Sequence, residues 1–272
     1  IFNDTVRFTS TMFFSSSPAH IAVIAVIAHR LLIFIGDMTC NACNKINCVK
    51  LFGIISALGF IYYFDMRIPT VFIDRVIPGF DVDSVLIDNF QGTYDAISYL
   101  IKVLNHKKIG YIDRLYDHSH NLDQKRGYRQ SLEDNKLQFN EKLIIRAEGF
   151  DYHAGIKAVK KLLSKNMDVT AIFAFYDIIA LGALRGIIEM GFKVPDDISL
   201  IGYDGMPLTA VCSPSLTTVK IPLMKLANNA CNLLLKRFEN NNLKTAIIKL
   251  NPHLLIREST SKAKSWHKGN GY

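Results

Sequence analysis

Lys193-Val-Pro-Asp-Asp-Ile-Ser-Leu-Ile-Gly-Tyr-Asp-Gly-Met-Pro207 is the stretch whose reading decides the fold. Val-Pro-Asp-Asp is turn chemistry, delivering the chain into a short apolar strand, Ile198 to Ile201, that stops at Gly202-Tyr203-Asp204. A run this short and apolar suits a strand buried on both faces of a parallel sheet. In an open α/β sheet, ligands bind just beyond the carboxyl ends of such strands, so Asp204 is placed to meet one. A strand-ending aspartate also serves simply as a turn residue, and spacing alone leaves both roles open.

Outward from this strand the alternation is regular. Strands are expected at Val71 to Ile73, Val85 to Ile87, Ile109 to Ile112, Leu143 to Ile145, Ala171 to Phe175, Thr217 to Val219 and Leu254 to Ile256. Helices are expected over 91–104, 123–134, 152–163, 178–190 and 222–238, the first with Tyr94, Ile97, Ile101 and Leu104 on one face. Strand–helix alternation of this kind specifies a parallel sheet and an α/β class. The change in character near Asp113 predicts two doubly wound lobes with several crossovers at the hinge. One lobe takes residues 1–113 plus 220–249, the other 114–219 plus 250–260, and 261–272 form a polar, disordered tail.

Composition narrows the function classes. The 272 residues are 49% hydrophobic and 21% charged, enough apolar content for a substantial core. The net charge of +8 is dispersed over short pairs such as Lys107-Lys108 and Lys160-Lys161, whereas phosphate binding needs charge gathered on one face. Five cysteines include Cys40, Cys43 and Cys48, but one Cys-x-x-Cys pair without a second is not a zinc site, and reduced thiols are expected. Ile21 to Ile35 is too short to span a bilayer, is interrupted by His29 and Arg30, and parses better as a helix running into a strand. No dinucleotide fingerprint, phosphate-cradling loop or nucleophile elbow is present, and the histidines are scattered, so no enzyme and no cofactor or metal is expected.

The ordered motifs resemble the effector-binding core of the lactose/galactose repressor family, a core similar to periplasmic sugar-binding proteins of type I. Its carriers are Ile68-Pro-Thr-Val-Phe-Ile-Asp-Arg75, Val82-Asp-Ser-Val-Leu-Ile-Asp-Asn89, Leu104-Asn-His-Lys-Lys-Ile-Gly110, Arg126-Gly-Tyr-Arg-Gln-Ser-Leu132 and Ala171-Ile-Phe-Ala174. Ala180-Leu-Gly-Ala-Leu-Arg185, Val194 to Asp204, Leu216-Thr-Thr-Val219 and Ile256-Arg-Glu-Ser-Thr260 complete the series. Before Ile68 the match thins to Ala28-His-Arg-Leu, Ile35-Gly-Asp-Met-Thr39 and Phe52-Gly-Ile-Ile55, with too few residues between them for full helices.

The resemblance implies a core that binds a small-molecule effector, a sugar or related metabolite, closes its lobes on it and pairs as a homodimer in the cytoplasm. DNA would be reached only through a helix-turn-helix headpiece upstream of Ile1, and no membrane is involved. The alternative on the same fold is an exported sugar-binding protein for transport. The family's cleft carboxylate falls on Asp204, its cleft aromatic on Phe150, which could equally belong to the core, and a rim hydroxyl on Ser119. Two positions depart from the family pattern. Tyr176 stands where the family usually has Asn, and Gln124, three before Gly127, stands where an Arg typically clamps the ligand. Arg126 offers either a compensating charge or an ordinary helix-surface pair. Ile221 replaces a common Gln, Phe13 and Phe14 are a weak match to a first-loop aromatic pair, and Arg75 reads as a structural ion pair.

Overall fold

The structure, a computed structural model, describes residues 69–76, 79–114 and 119–264. The helix expected from Ile21, the strands near Ile35 and Phe52, the cysteine group at 40–48 and Phe13 and Phe14 lie outside the described residues. What is described divides into two compact units: the residues up to Val85 with Ala227–Ile248, and Leu86–Leu226 with the residues from Lys249.

The first unit's sheet contains β1 (Val71–Ile73), β2 (Asp83–Ile87) and β8 (Ile247–Leu250), in the order β1-β2-β8. β1 and β2 are parallel, with Val71 opposite Asp83. Asp83 is buried, and its carboxylate accepts 2.7 and 2.9 Å bonds from both arms of Arg237 and a 2.7 Å bond from the Ala246 amide. Burial pushes its pKa up, but the Arg237 and Ala246 hydrogen bonds outweigh this and hold it below the usual value.

The second unit is built on six strands in the order β4-β3-β5-β6-β7-β9. They are β3 (Ile109–Asp113), β4 (Ile144–Arg146), β5 (Ala171–Ala174), β6 (Ser199–Asp204), β7 (Thr217–Lys220) and β9 (His253–Leu255). The first five are parallel, and β9 closes the edge antiparallel to β7. From β3 the chain winds outward to β4, then returns across β3 to β5 and runs the other way. The topological switch therefore lies between β3 and β5, the place where doubly wound sheets bind ligands.

Helices α1 (Asn89–Lys102), α2 (Ser119–Asp134), α3 (Tyr152–Lys165), α4 (Asp177–Glu189) and α5 (Leu223–Glu239) follow the strands. Asp88 caps α1 through the Gln91 amide and Asp151 caps α3 through the Ala154 amide, each satisfying an orphan N–H of the first turn. α3 and α4 approach closely because Gly155 and Gly182 carry no side chain, and a Cβ on either would strike the other helix's backbone. The core beneath them is continuous, with Tyr111, Tyr128, Phe173 and Tyr203 fully or nearly fully buried.

Four expectations need correction. β6 does not stop at Ile201 but runs through Asp204, because Tyr203 and Asp204 pair with Val219 and Lys220 on β7. The first unit ends at Val85, not near Asp113, since β3 is a central strand of the second sheet. β8 was not foreseen, although its Ile-Ile-Lys-Leu is apolar at three of four positions; it is short and exposed or only half-buried throughout. The tail is ordered at its start, where the Ala263 amide donates to Leu104 O (2.7 Å) and Ser261 bonds Ser199 and Pro195.

Candidate functional site

Three neighbouring strands of the second sheet, β3, β5 and β6, run parallel toward one edge. β3 and β5 pair Ile112 with Ala174, and β5 and β6 pair Phe173 with Ile201. Continuing both registers one residue past β3 and two past β5 brings Arg114 and Tyr176 level with Asp204, the last residue of β6. Adjacent strands lie about 4.8 Å apart, so this row spans roughly 10 Å.

Arg114 is only 7% exposed and sits among three aromatic rings. Its guanidinium carbon lies 4.4 Å from the Tyr176 ring centre and 5.4 Å from those of Phe150 and Phe175. Phe175 packs against Tyr176 at 4.8 Å and edge-on to Phe150 at 6.4 Å. The electron-rich ring faces hold the cation in a largely water-free setting. Behind it Asp113, also buried, accepts a 2.8 Å bond from the Arg114 amide.

Asp204 is half-buried and has a φ of 114°, a conformation an L-residue adopts at a cost of about 1–3 kcal/mol. What holds it there is Asp177. This fully buried carboxylate accepts a 2.6 Å bond from the Thr218 hydroxyl and a 2.7 Å bond from the Met206 amide, two residues past Asp204. Between them Gly205, at φ 75°, donates its amide to Thr218 Oγ1 (3.2 Å), and any side chain there would press on Lys220. Burial pushes the Asp177 pKa up to about 6, and the hydrogen bonds from Thr218, Met206 and Gly205 and the charge of Arg257 oppose the rise. Arg257 in turn donates to Thr209 Oγ1 (2.8 Å) and Leu216 O (2.6 Å), fixing the same turn from the far side.

The structure thus places Phe150 and Tyr176 together around Arg114, with Asp204 on the next strand. Phe150 also packs on the core, the second of the two roles weighed for it. Tyr176 is the N-cap residue of α4 yet makes no capping bond. Gln124 is buried in α2, 3% exposed. Ser119 opens α2, and its side chain lies outside the described residues. Arg126 is a surface residue, paired with Asp123 at 3.1 Å. Ile221 is half-buried against the core, and its amide donates to Asp204 O at 3.3 Å. Arg114 and Asp177 were missed, although the strand-end rule that selected Asp204 would have selected Arg114 as well. Among the described residues no group of His, Cys, Asp and Glu is arranged to hold a metal, and no helix is long and apolar enough to cross a membrane.

A doubly wound sheet with a charged and aromatic row at its switch point is the layout on which small-molecule-binding domains are built. Residues 99–260 match the periplasmic binding protein-like domain, and the chain belongs to that family. Its likeness within the family runs to the lactose/galactose type of transcriptional regulator. It is 35% identical over 196 residues to the repressor PurR of Klebsiella pneumoniae (strain 342), covering 72% of this chain and 57% of the relative. It is 41% identical over 155 residues to the regulator MalR of Clostridium butyricum, covering 56% of this chain and 44% of the relative. Among solved structures it is similar to a complex of the transcriptional regulator CelR with cellobiose, at 30% identity and a TM-score of 0.66, covering 71% of this chain and 59% of that one. The chain therefore spans about half the length of the relatives it matches.

Proposed function

We propose that this chain is the effector-sensing core of a DNA-binding transcriptional repressor, taking a sugar or related small molecule at the carboxyl edge of the six-stranded sheet. The observation that carries the reading is the level row Arg114, Tyr176 and Asp204 at the switch point, with Asp204 held in a costly conformation by the buried Asp177. Strain kept at a strand end by an elaborate support is the pattern of a binding residue, not of a turn. The Asp204 carboxylate accepts from paired ligand hydroxyls, and charge-assisted bonds of this kind are the strong ones. Tyr176 and Phe150 supply ring surface and, for Tyr176, a hydroxyl. Gln124 and Ser119 belong to the same site as its second wall and rim.

Effector occupancy would be linked to operator affinity through a headpiece and a homodimer, each ligand altering the other's affinity by the same factor. Action in the cytoplasm and the lack of catalysis belong to this reading. The regulators among the relatives favour it over an exported transport protein on the same fold. The test is thermal stabilisation of the purified chain across a panel of sugars, sugar derivatives and nucleobases. A ligand that raises the midpoint for the native chain but not for Asp204→Ala supports the reading. A panel in which nothing stabilises the native chain sinks it.

A further inference from the structure

The turn that carries Asp204 hangs on one carboxylate. Asp177 opens α4, and its side chain reaches across the end of β6 to β7. It fits there because Gly202 has no side chain, and a Cβ at that position would strike the carboxylate. Both of its oxygens are engaged by donors, Thr218 Oγ1 at 2.6 Å on one and the Met206 amide at 2.7 Å on the other. The Gly205 amide is shared between the carboxylate and Thr218 Oγ1. Among the described residues, Arg257 faces this knot from the segment after β9, and Lys220 on β7 lies near Gly205. The other titratable groups beside it are Asp204 at the end of β6 and Tyr176, the residue before it in the chain.

A ring of donors suits an ionised carboxylate and leaves no place for an acid proton. A proton on the oxygen facing Met206 would oppose an amide that cannot reverse. A proton on the other oxygen would make Thr218 the acceptor and set its own hydrogen loose in a buried setting. Either way, bonds to an ion become bonds to a neutral acid, about half as strong. We infer that Asp177 is the positioning residue of the effector site: its carboxylate holds the turn after β6 in the form that presents Asp204, and proton uptake there loosens the turn and weakens effector binding. This rests on the proposed binding site and adds a regulation to it, a loss of affinity as the pH falls. Burial lifts the Asp177 pKa to about 6, into a range where an ordinary aspartate stays ionised. The sign separates this role from a merely structural one. Protonation relieves the cost of a buried charge, so the folded chain is stabilised as the pH falls, while effector affinity drops over the same window. A group that only held the fold together would leave the affinity of the folded chain unmoved.

The test is calorimetric titration of the native chain with glucose, ribose and cellobiose at about pH 7.5 and about pH 5. With only the ionised form competent, a probe that binds should do so about tenfold more weakly at the lower pH. Asp177→Asn, which keeps the size but offers a single acceptor, should bind weakly and equally at both. Should that variant not fold, Thr218→Val takes its place: it removes a hydrogen bond that favours the carboxylate, and the loss of affinity should begin at a higher pH. In the native chain the Gly205 and Met206 amide resonances should titrate with the same midpoint as the affinity. A probe held equally at both pH values overturns the inference and leaves the sensing role standing. A pH dependence that survives unchanged in Asp177→Asn overturns it too and assigns the proton to Asp204. No binding by any probe at either pH removes the site and the inference together.

Discussion

The two ends of the second sheet answer burial in opposite ways. At the amino ends of β3, β5 and β6, His106 is 2% exposed, and its ring is fully engaged. Thr170 Oγ1 lies 2.9 Å from Nδ1, and Ser199 Oγ and Ser261 O lie 3.0 and 2.9 Å from Nε2. Every polar group in that knot has a partner in the chain, and the knot ties the C-terminal segment to the sheet. At the carboxyl ends of the same strands a guanidinium is wrapped in rings, Asp204 is held at φ 114°, and Asp177 pays the cost of burial to keep it there. One edge is built to hold the fold together. The other spends stability on a strained backbone and a buried carboxylate, the relation expected between the proposed binding site and its scaffold.

The comparison breaks most directly at His106. His106→Ala leaves buried hydroxyls and a carbonyl without their partner and opens a cavity, at a cost of about 3–4 kcal/mol. The unfolding midpoint should fall by roughly 6–16 °C, read by calorimetry, while ligand affinity of the folded fraction is unchanged. A variant that lost affinity with little loss of stability would mean that the amino edge is not the structural one.

The edges should also titrate against each other. Burial lowers the His106 pKa below its ordinary value, with the Ser261 carbonyl opposing. Its contribution to stability is therefore complete above about pH 6.5 and is lost as the pH falls. Burial raises Asp177 instead, to about 6. Here the folded state binds the extra proton, so stability falls as pH rises from the unfolded value near 4 through about 6. The size is on the order of 3 kcal/mol. Asp177→Asn removes this slope but turns an amide N–H₂ or a single acceptor toward the Met206 and Gly205 amides. Urea midpoints across this window should show the variant growing steadily more stable with pH, from His106 and the carboxylates held below their usual values such as Asp83, where the native chain is flatter. Parallel curves for the two proteins would place Asp177 outside the titrating set.

A smaller effect sharpens the strain argument. Asp204→Gly relieves the positive φ, partly offset by the flexibility glycine adds to the unfolded chain. The net gain should be about 0.5–1 kcal/mol, with ligand-dependent stabilisation abolished. Asp204→Asn, which tolerates the same backbone, should leave the unfolding free energy within about 0.5 kcal/mol of the native chain and still weaken binding. A glycine variant less stable than the native chain would remove the cost assigned to this position.

The strands of the second sheet were legible because buried parallel strands are short apolar runs bounded by turn residues, and Val194 to Asp204 and Leu216 to Val219 are strong examples. Asp204, Phe150 and Tyr176 were legible from the family likeness, and they do gather at one sheet edge. Arg114 was not, because a division of the chain drawn at Asp113 left it at a lobe boundary with no role assigned, and nothing local reveals that rings from two distant segments will enclose it. Asp177 was hidden for a related reason. Its partners Thr218 and Met206 arrive from β7 and the turn after β6, contacts that only the sheet order creates. The end of β6 was misjudged because Gly202 reads as a breaker, whereas its missing side chain leaves room for Asp177 and Ala180 beside a continuing strand.

The amino edge carries one further contrast, between its buried knot and its rim. Lys108 and Asp168 form an ion pair there, each more than half exposed, beside a depression of about 370 Å³ that Asn105, Lys107, Thr170, Ala263 and Lys264 also line. Water and salt screen such a pair, and holding two long side chains in one arrangement costs entropy, so little net stability remains. Asp168→Asn should therefore change the unfolding free energy from urea titration by less than about 0.5 kcal/mol, and less still at high salt. If it instead approached the His106 effect, the depression would have to be counted as part of the knot, and the amino edge would owe its strength to charge and not to its closed set of hydrogen bonds.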